Sequence, residues 1–289
     1  MAKKHDAATE EETTGHEWDG IHELNKPLPK WWLWTFYATI VWAIGYWLLM
    51  PSWPLVASYT KGLLGYSQRE AVSEQLDAAK AAKAEFRQKI AANDLAAINA
   101  NPELLGFALA GGEAAFGDNC APCHGSGAQG AFGYPNLRDD SWLWGGSLDA
   151  IHQTITHGIR ANDPATRSRG AQMPAFGATG ILTEPQIADV DEFVLSLSGR
   201  ADDRGAAERG SKIFASTCAP CHGPEGKGNQ AIGAPDLTDE LWLYAGDKTT
   251  IADTIRGGRG GVMPAWGGRL DPETIKELAI YVHSLGGGQ

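Results

Sequence analysis

The pentad Cys120-Ala121-Pro122-Cys123-His124 recurs unchanged as Cys218-Ala219-Pro220-Cys221-His222, 98 residues later. Two thiols three positions apart on one helical turn point the same way, and the histidine after the second faces whatever they hold. That spacing suits two thioether bonds to the vinyl edges of one porphyrin, with the histidine on its iron. It is the attachment signature of a c-type haem. A thioredoxin-like pair needs no histidine after the second cysteine, and a zinc site would have to draw ligands from both copies. All four cysteines of the chain lie in the two pentads, so none is left for a disulfide. The motifs therefore require two covalent haems c, one on Cys120 and Cys123, the other on Cys218 and Cys221. His124 and His222 are the proximal iron ligands.

Around each pentad the chain repeats itself. Gly112 and Phe116 match Gly210 and Phe214; Pro135 and Leu137 match Pro235 and Leu237; Trp142 matches Trp242; Ile151 and Ile155 match Ile251 and Ile255. Met173-Pro-Ala-Phe-Gly177 matches Met263-Pro-Ala-Trp-Gly267, with a longer loop before the first. A last apolar series of helical period, Ile187, Val190, Phe193, Val194 and Leu197, corresponds to Ile275, Leu278, Tyr281, Val282 and Leu285. Each copy reads helix, pentad, glycine-rich loop, short helix, Met-Pro loop and terminal helix. This is similar to the bacterial class I cytochrome c domain. The resemblance implies two such domains, residues 103–199 and 200–289, each closing its first helix on its own last helix, as at Gly112/Phe116 and Phe193/Leu197. The expected fold class is mainly α: one N-terminal transmembrane helix followed by two class I cytochrome c domains.

The sixth iron ligands are sought among four methionines. Met173 and Met263 stand at the same place in both copies, each before Pro-Ala-aromatic-Gly, and thioether sulfur is a soft iron donor that raises the reduction potential. Taken in chain order, Met173 serves the first iron and Met263 the second. His157 competes for the first iron, but its counterpart in the second copy is Gly257. With Arg160 it reads better as a hydrogen-bonding residue near a propionate or at a domain surface. Two protein ligands per iron leave no position for oxygen or peroxide. The chain is therefore expected to be no enzyme by itself, which disfavours a dihaem peroxidase.

From Trp31 to Met50 there is no charged residue. Such a helix spans about 30 Å, the thickness of a bilayer's hydrocarbon core. Trp31, Trp32 and Trp34 flank one end, Trp47 and Trp53 the other, as interfacial aromatics do. The polar stretch ahead of it and the want of a small-residue cleavage site argue against a signal peptide. Residues 31–54 thus read as a transmembrane anchor. Residues 1–30, with Glu10, Glu11 and Glu12, read as a mobile tail in which His5, His16 and His22 share no face. Residues 55–102 read as a helical connector with an apolar stripe of Val72, Leu76, Ala79, Phe86 and Ile90, bounded by Asn101-Pro102. Haems of this type are attached outside the bacterial cytoplasm. The tail is accordingly placed in the cytoplasm and the haem domains in the periplasm, on a single-pass inner-membrane protein.

A formal net charge of −11 excludes nucleic acid as a natural partner and favours a cationic one. Residues 103–199 carry 11 acidic and 4 basic side chains, residues 200–289 carry 12 and 10. Docking of a basic donor is therefore expected on the first domain, at Asp139, Asp140, Asp149, Asp189, Asp191 and Glu192.

The N-terminal part is the more specific one. Thr14-Gly-His-Glu-Trp-Asp-Gly-Ile21 and Glu23-Leu-Asn-Lys-Pro-Leu-Pro-Lys-Trp-Trp32, ahead of one span and two haem domains, resemble the dihaem subunit III of cbb3-type cytochrome c oxidases over the full length. The resemblance implies an inner-membrane complex in which a separate catalytic haem–copper subunit reduces O2 and pumps protons, beside a monohaem cytochrome c subunit. This chain would relay electrons to them from a donor cytochrome c. A free-standing, membrane-anchored dihaem shuttle between respiratory complexes is the alternative, and copurification with a catalytic subunit separates the two.

Overall fold

The computed structural model describes residues 12–168 and 172–286, and the chain falls into two compact units, residues 1–82 and 83–289. His5, Glu10 and Glu11 lie outside the described residues.

The first unit opens on a β-hairpin where the sequence reads as mobile tail. β1 (Thr13–Trp18) pairs antiparallel with β2 (Ile21–Leu24), setting Trp18 opposite Ile21 and Glu17 opposite His22. Asp19 and Gly20 make the turn at φ +48° and +85°, the backbone a two-residue hairpin loop needs and Asp-Gly supplies. Beyond Pro27 and Pro29, α1 (Lys30–Leu49) runs for 20 residues with none buried, long and apolar enough to cross a membrane. The chain then folds back on the helix end. The N–H groups of Leu63 and Leu64 donate to the carbonyls of Leu48 and Leu49, and Trp47 meets Trp53 edge-on at 4.9 Å.

The second unit takes in the last turns of α2 (Gln68–Ala92). There Phe86 stacks on Phe107 at 4.9 Å and Ile90 is fully buried. α3 (Leu95–Ala100) buries Leu95 and Ile98 in the same core. Residues 86–101 are thus part of a haem-binding bundle, not connector. The expected break at Asn101-Pro102 ends α3 and starts the next helix, within one bundle. The Asn101 side chain accepts from the N–H groups of Glu103 and Leu104, and Pro102 opens α4 (Pro102–Asn119).

α4 is followed by α5 (Ala121–His124), α6 (Leu148–His157), α7 (Glu184–Leu197), α8 (Arg204–Thr217), α9 (Ala219–His222), α10 (Lys248–Gly257) and α11 (Pro272–Ser284). Ser147, Asp203, Asp247 and Asp271 cap α6, α8, α10 and α11, each accepting from the N–H three residues on.

The sequence repeats are not the packing units. α4 crosses α11, not α7: Gly112 backs onto the Glu277 carbonyl and Tyr281, and the Phe116 ring lies 5.5 Å from Tyr281. α7 crosses α8: Gly210 backs onto the Asp189 carbonyl, and Phe193 lies 4.9 Å from Phe214. Accordingly Phe116, Ile151 and Ile155 share one core with Ile275, Leu278 and Val282. Phe214, Ile251 and Ile255 share another with Ile187, Val190 and Val194. The expected domains 103–199 and 200–289 therefore exchange their last thirds. One bundle is built from residues 86–168 and 260–286, the other from residues 172–259. Helical period and apolar content are alike in α7 and α11, so either can complete either bundle. Each contributes several buried aliphatics, worth roughly 1.5–3 kcal/mol apiece.

Candidate functional site

Each pentad sits on the turn that follows a long helix, α4 or α8. Cys120 ends α4 and Cys218 ends α8, and the next turn, α5 or α9, brings the histidine to the interior side. Cys123 and Cys221 are exposed, while Cys120 is half-buried and Cys218 buried. Burial pushes the Cys120 and Cys218 thiols up to about 11, with a smaller push from the neighbouring thiol. A reactive Cys-x-x-Cys pair needs the opposite shift, so the geometry speaks against thiol redox chemistry.

The two histidines are set identically. His124 Nδ1 lies 3.1 Å from the Pro135 carbonyl oxygen, and His222 Nδ1 lies 3.2 Å from that of Pro235. A carbonyl can only accept, so Nδ1 carries the proton and Nε2 keeps its lone pair for a metal. Burial lowers both pKa values, outweighing the raising effect of the carbonyl, and keeps the rings neutral.

The methionines cross over. Met263 packs into the core that holds Cys120, and Met173 into the core that holds Cys218. Each Met-Pro loop is sewn to the end of the other copy's short helix. Ile159 and Met263 exchange N–H···O bonds of 3.0 and 3.1 Å, as do Met173 and Arg259 at 3.0 and 3.2 Å. Gly158 and Gly258, which end α6 and α10, permit this approach. Both have positive φ, and a Cβ on them would lie 2.4 Å from the Met263 carbonyl oxygen and 2.5 Å from that of Met173. Packing therefore sets Met263, and not Met173 as chain order would have it, in the bundle of Cys120.

The fit of a haem can be judged from buried polar atoms left without a partner among the described residues. They include Trp142 Nε1 and Arg167 Nε in one bundle, and Trp242 Nε1 and Arg259 Nε in the other. One indole and one guanidinium donor per bundle match the two carboxylates that every haem carries. Sequence reasoning aligned the tryptophans without giving them a role, and missed both arginines. The recurrence of Trp142 as Trp242 was the available signal. His157 is engaged elsewhere, Nδ1 lying 3.1 Å from Asp163 Oδ1. Arg160 donates from Nε to the Gly261 carbonyl at 2.7 Å, two residues before Met263.

Electrostatics also change with the exchange. Residues 86–168 with 260–286 carry 11 acidic and 7 basic side chains, a net −4, and residues 172–259 carry 13 and 8, a net −5. The expected asymmetry vanishes. Asp191 and Glu192 are, moreover, 1% and 2% exposed. Glu192 accepts from the N–H groups of Asp202 and Asp203 and pairs with Lys248, and Asp189 pairs with Arg209. Glu192 and Asp189 thus hold the second bundle together instead of facing a donor, and Asp191 is buried within it.

Residues 10–57 match the family described as the N-terminal domain of cytochrome oxidase-cbb3, FixP. Residues 109–198 match cytochrome c, and residues 205–282 match cytochrome c oxidase, cbb3-type, subunit III. The chain is 58% identical over 285 residues to the cbb3-type cytochrome c oxidase subunit FixP of Azorhizobium caulinodans, covering 98% of this chain and 96% of the relative. It is 53% identical over 292 residues to subunit CcoP of Azospirillum brasilense, covering 99% of each. With subunit CcoP of Cereibacter sphaeroides it shares 52% over 277 residues, 96% of this chain and 95% of the relative. Two haem c groups, a mainly helical fold with one apolar N-terminal helix, and this likeness along the whole length agree: the chain belongs to the FixP/CcoP family of cbb3-type cytochrome c oxidase subunits.

Proposed function

We propose that the protein relays electrons as the membrane-anchored dihaem subunit of a cbb3-type oxidase. The observation that carries this is the matched pair of sites. Each bundle has an imidazole with Nδ1 held by a proline carbonyl, and in its core a methionine whose backbone is bonded to the other repeat. In this reading Cys120 and Cys123 hold one haem, with His124 and Met263 on its iron. Cys218 and Cys221 hold the other, with His222 and Met173. When bound, haem supplies one-electron chemistry at an iron whose potential the thioether ligand raises.

The chain's residues do the rest. Main-chain bonds at Met263 and Met173 and the proline carbonyls fix the ligands, so that little moves when an electron arrives. Ile151 and Ile155, or Ile251 and Ile255, keep water from the interior. Trp142 with Arg167, and Trp242 with Arg259, would meet the propionate charge. Where the bundles touch, Gln230 Nε2 donates to the Trp142 carbonyl at 2.9 Å and the Gly133 N–H to that of Leu243 at 2.8 Å. The Phe132 ring stands edge-on to Tyr244 at 5.7 Å. This junction holds the two sites in a fixed relation, so transfer between them needs no domain motion. His124 with Met263, and His222 with Met173, would hold each iron through two protein side chains, and O2 would then be reduced elsewhere, on a haem–copper subunit reached through a monohaem partner. α1 anchors the chain in the inner membrane with residues 1–30 in the cytoplasm and the bundles in the periplasm, where a donor cytochrome c reduces them.

The test is a strain lacking this chain. Its cytochrome c-driven O2 consumption by the cbb3-type enzyme should fall to background and return with the wild-type gene. A chain carrying Cys218→Ala and Cys221→Ala should restore assembly without turnover. Isolation of the intact dihaem protein from gently solubilised membranes with no oxidase subunit attached would instead identify a shuttle.

A further inference from the structure

The β-hairpin of residues 13–24 is too small to stand alone, since an isolated two-stranded hairpin is marginal in water. It nevertheless presents a defined face. Trp18 and Ile21, directly opposite one another beside the turn, are 65% and 72% exposed. Behind them on the same face, Glu23 gathers Thr14 Oγ1 and the Trp18 indole N–H, each at 3.2 Å, with His16 Nδ1 at 3.8 Å. The tip is thus an apolar pair set in an acidic frame: residues 12–25 hold Glu12, Glu17, Asp19 and Glu23 and no lysine or arginine.

Its position is also constrained. Five residues, Asn25-Lys26-Pro27-Leu28-Pro29, separate β2 from the first residue of α1. Fully extended they reach about 17 Å, and two prolines keep them stiff. The hairpin therefore stays at the membrane surface. The lipid surface there is a poor partner, because the cytoplasmic leaflet is anionic and repels four clustered carboxylates. The cytoplasmic loops of multispanning proteins are, by contrast, rich in lysine and arginine close to the bilayer.

We infer that the hairpin is a docking element, seating Trp18 and Ile21 on a basic cytoplasmic loop of a multispanning subunit of the same oxidase. The inference rests on the proposed cytoplasmic placement of the tail. Apolar burial at the tip supplies contact area, and the carboxylates select the cationic loop and fix the approach. The span alone would hold the chain in the membrane; the hairpin gives it a partner and a rotational setting.

The test uses the full-length chain in membranes. All four native cysteines lie in the haem pentads, so Ile21→Cys introduces a thiol unlike any other in the chain. A thiol-specific photo-crosslinker on it should yield an adduct with an oxidase subunit, the joined peptide lying in a lysine- or arginine-bearing cytoplasmic loop. Glu17→Lys with Glu23→Lys should cut the yield several-fold, while Glu17→Gln with Glu23→Gln, which keeps the hairpin's shape, should cut it less. Adducts with lipid only, or with no oxidase subunit, overturn the inference. The orientation is read separately with a membrane-impermeant maleimide. Labelling in inside-out vesicles is expected; labelling in spheroplasts would overturn the placement of the tail and the docking with it.

Discussion

Gly111 faces Glu277 where α4 crosses α11, so closely that a Cβ on the glycine would lie 2.4 Å from Oε2. At the same place in the other bundle Arg209 faces Asp189 with two bonds, Nε to Oδ2 at 3.0 Å and Nη2 to Oδ1 at 2.7 Å. Glu277 thus lacks the cation its counterpart has. It is 4% exposed, its Oε1 finds no partner among the described residues, and burial pushes it up to about 7. Arg87 and Lys83 on α2 pull it back, while Asp271 and Glu273 on its own side push with the burial.

A pH dependence of stability follows. The folded value lies above the ordinary 4.5, so the folded state holds this proton more tightly than the unfolded one. Below about pH 4.5 both states are protonated and nothing is lost. As pH rises through 7, the carboxylate must ionise while buried, and stability falls. Asp191, likewise raised to about 7 by burial, acts with the same sign in the other bundle. Glu277→Gln should flatten part of this decline and raise Tm at pH 8 by about 2–4 °C, the shift that roughly 1 kcal/mol makes at this size. Thermal unfolding of the solubilised protein between pH 5 and 8 checks it; an unchanged slope would show that Glu277 stays ionised throughout.

Ligand pairing can be read in chains that hold one haem. With Cys218→Ala and Cys221→Ala in place, Met263→His should abolish the thioether-to-iron charge-transfer absorption and lower the potential by on the order of 100 mV, within the range axial ligands control. Met173→His in that background should leave the spectrum alone. The opposite pattern would restore pairing in chain order.

Gly158→Ala and Gly258→Ala should each disturb the haem whose methionine they touch. The added Cβ meets a carbonyl oxygen, and positive φ costs a further 1–2 kcal/mol or so. Gly158→Ala should weaken methionine ligation at the haem of Cys120, and Gly258→Ala at that of Cys218, seen as loss of the charge-transfer band at one site only.

Glu192→Gln should act on stability, not on electron entry. It removes the charge from two N–H···O bonds and the pairing with Lys248, and bonds to a charged group contribute about 1.5–3 kcal/mol. The folded carboxyl is held below its ordinary value, chiefly by Lys248. Its contribution is therefore present above about pH 4.5 and lost as pH falls through the folded value. Unfolding should shift while the bimolecular rate of reduction by a basic cytochrome c stays at the wild-type value. A slowed rate with intact stability would return Glu192 to the docking surface.

Much of this was legible in the chain. Two identical pentads, matched Met-Pro loops and matched helical series gave the repeat, the cofactors and the residues around them, because each is a local pattern with a local cause. The exchange of α7 and α11 was not legible. Ile187, Val190 and Val194 present the same period as Ile275, Leu278 and Val282, so pattern cannot say which bundle each enters. Charge does not decide either, since Arg209 would find a carboxylate in Asp189 or in Glu277. What decides is the path of the loops, through Gly158 and Gly258, and a glycine reads alike in many loops. The hairpin at Asp19-Gly20 was readable as a turn but was masked by its polar composition.

The interlocking of the bundles also sets an order of completion. The bundle of residues 172–259 has all its parts once residue 259 has been synthesised. The bundle around Cys120 must wait for α11, the last of the described helices. The haem motif that emerges first therefore belongs to the bundle that closes last. Until then its first helix is an open half-core, and losing only the final turns of the protein would undo the site nearest its beginning.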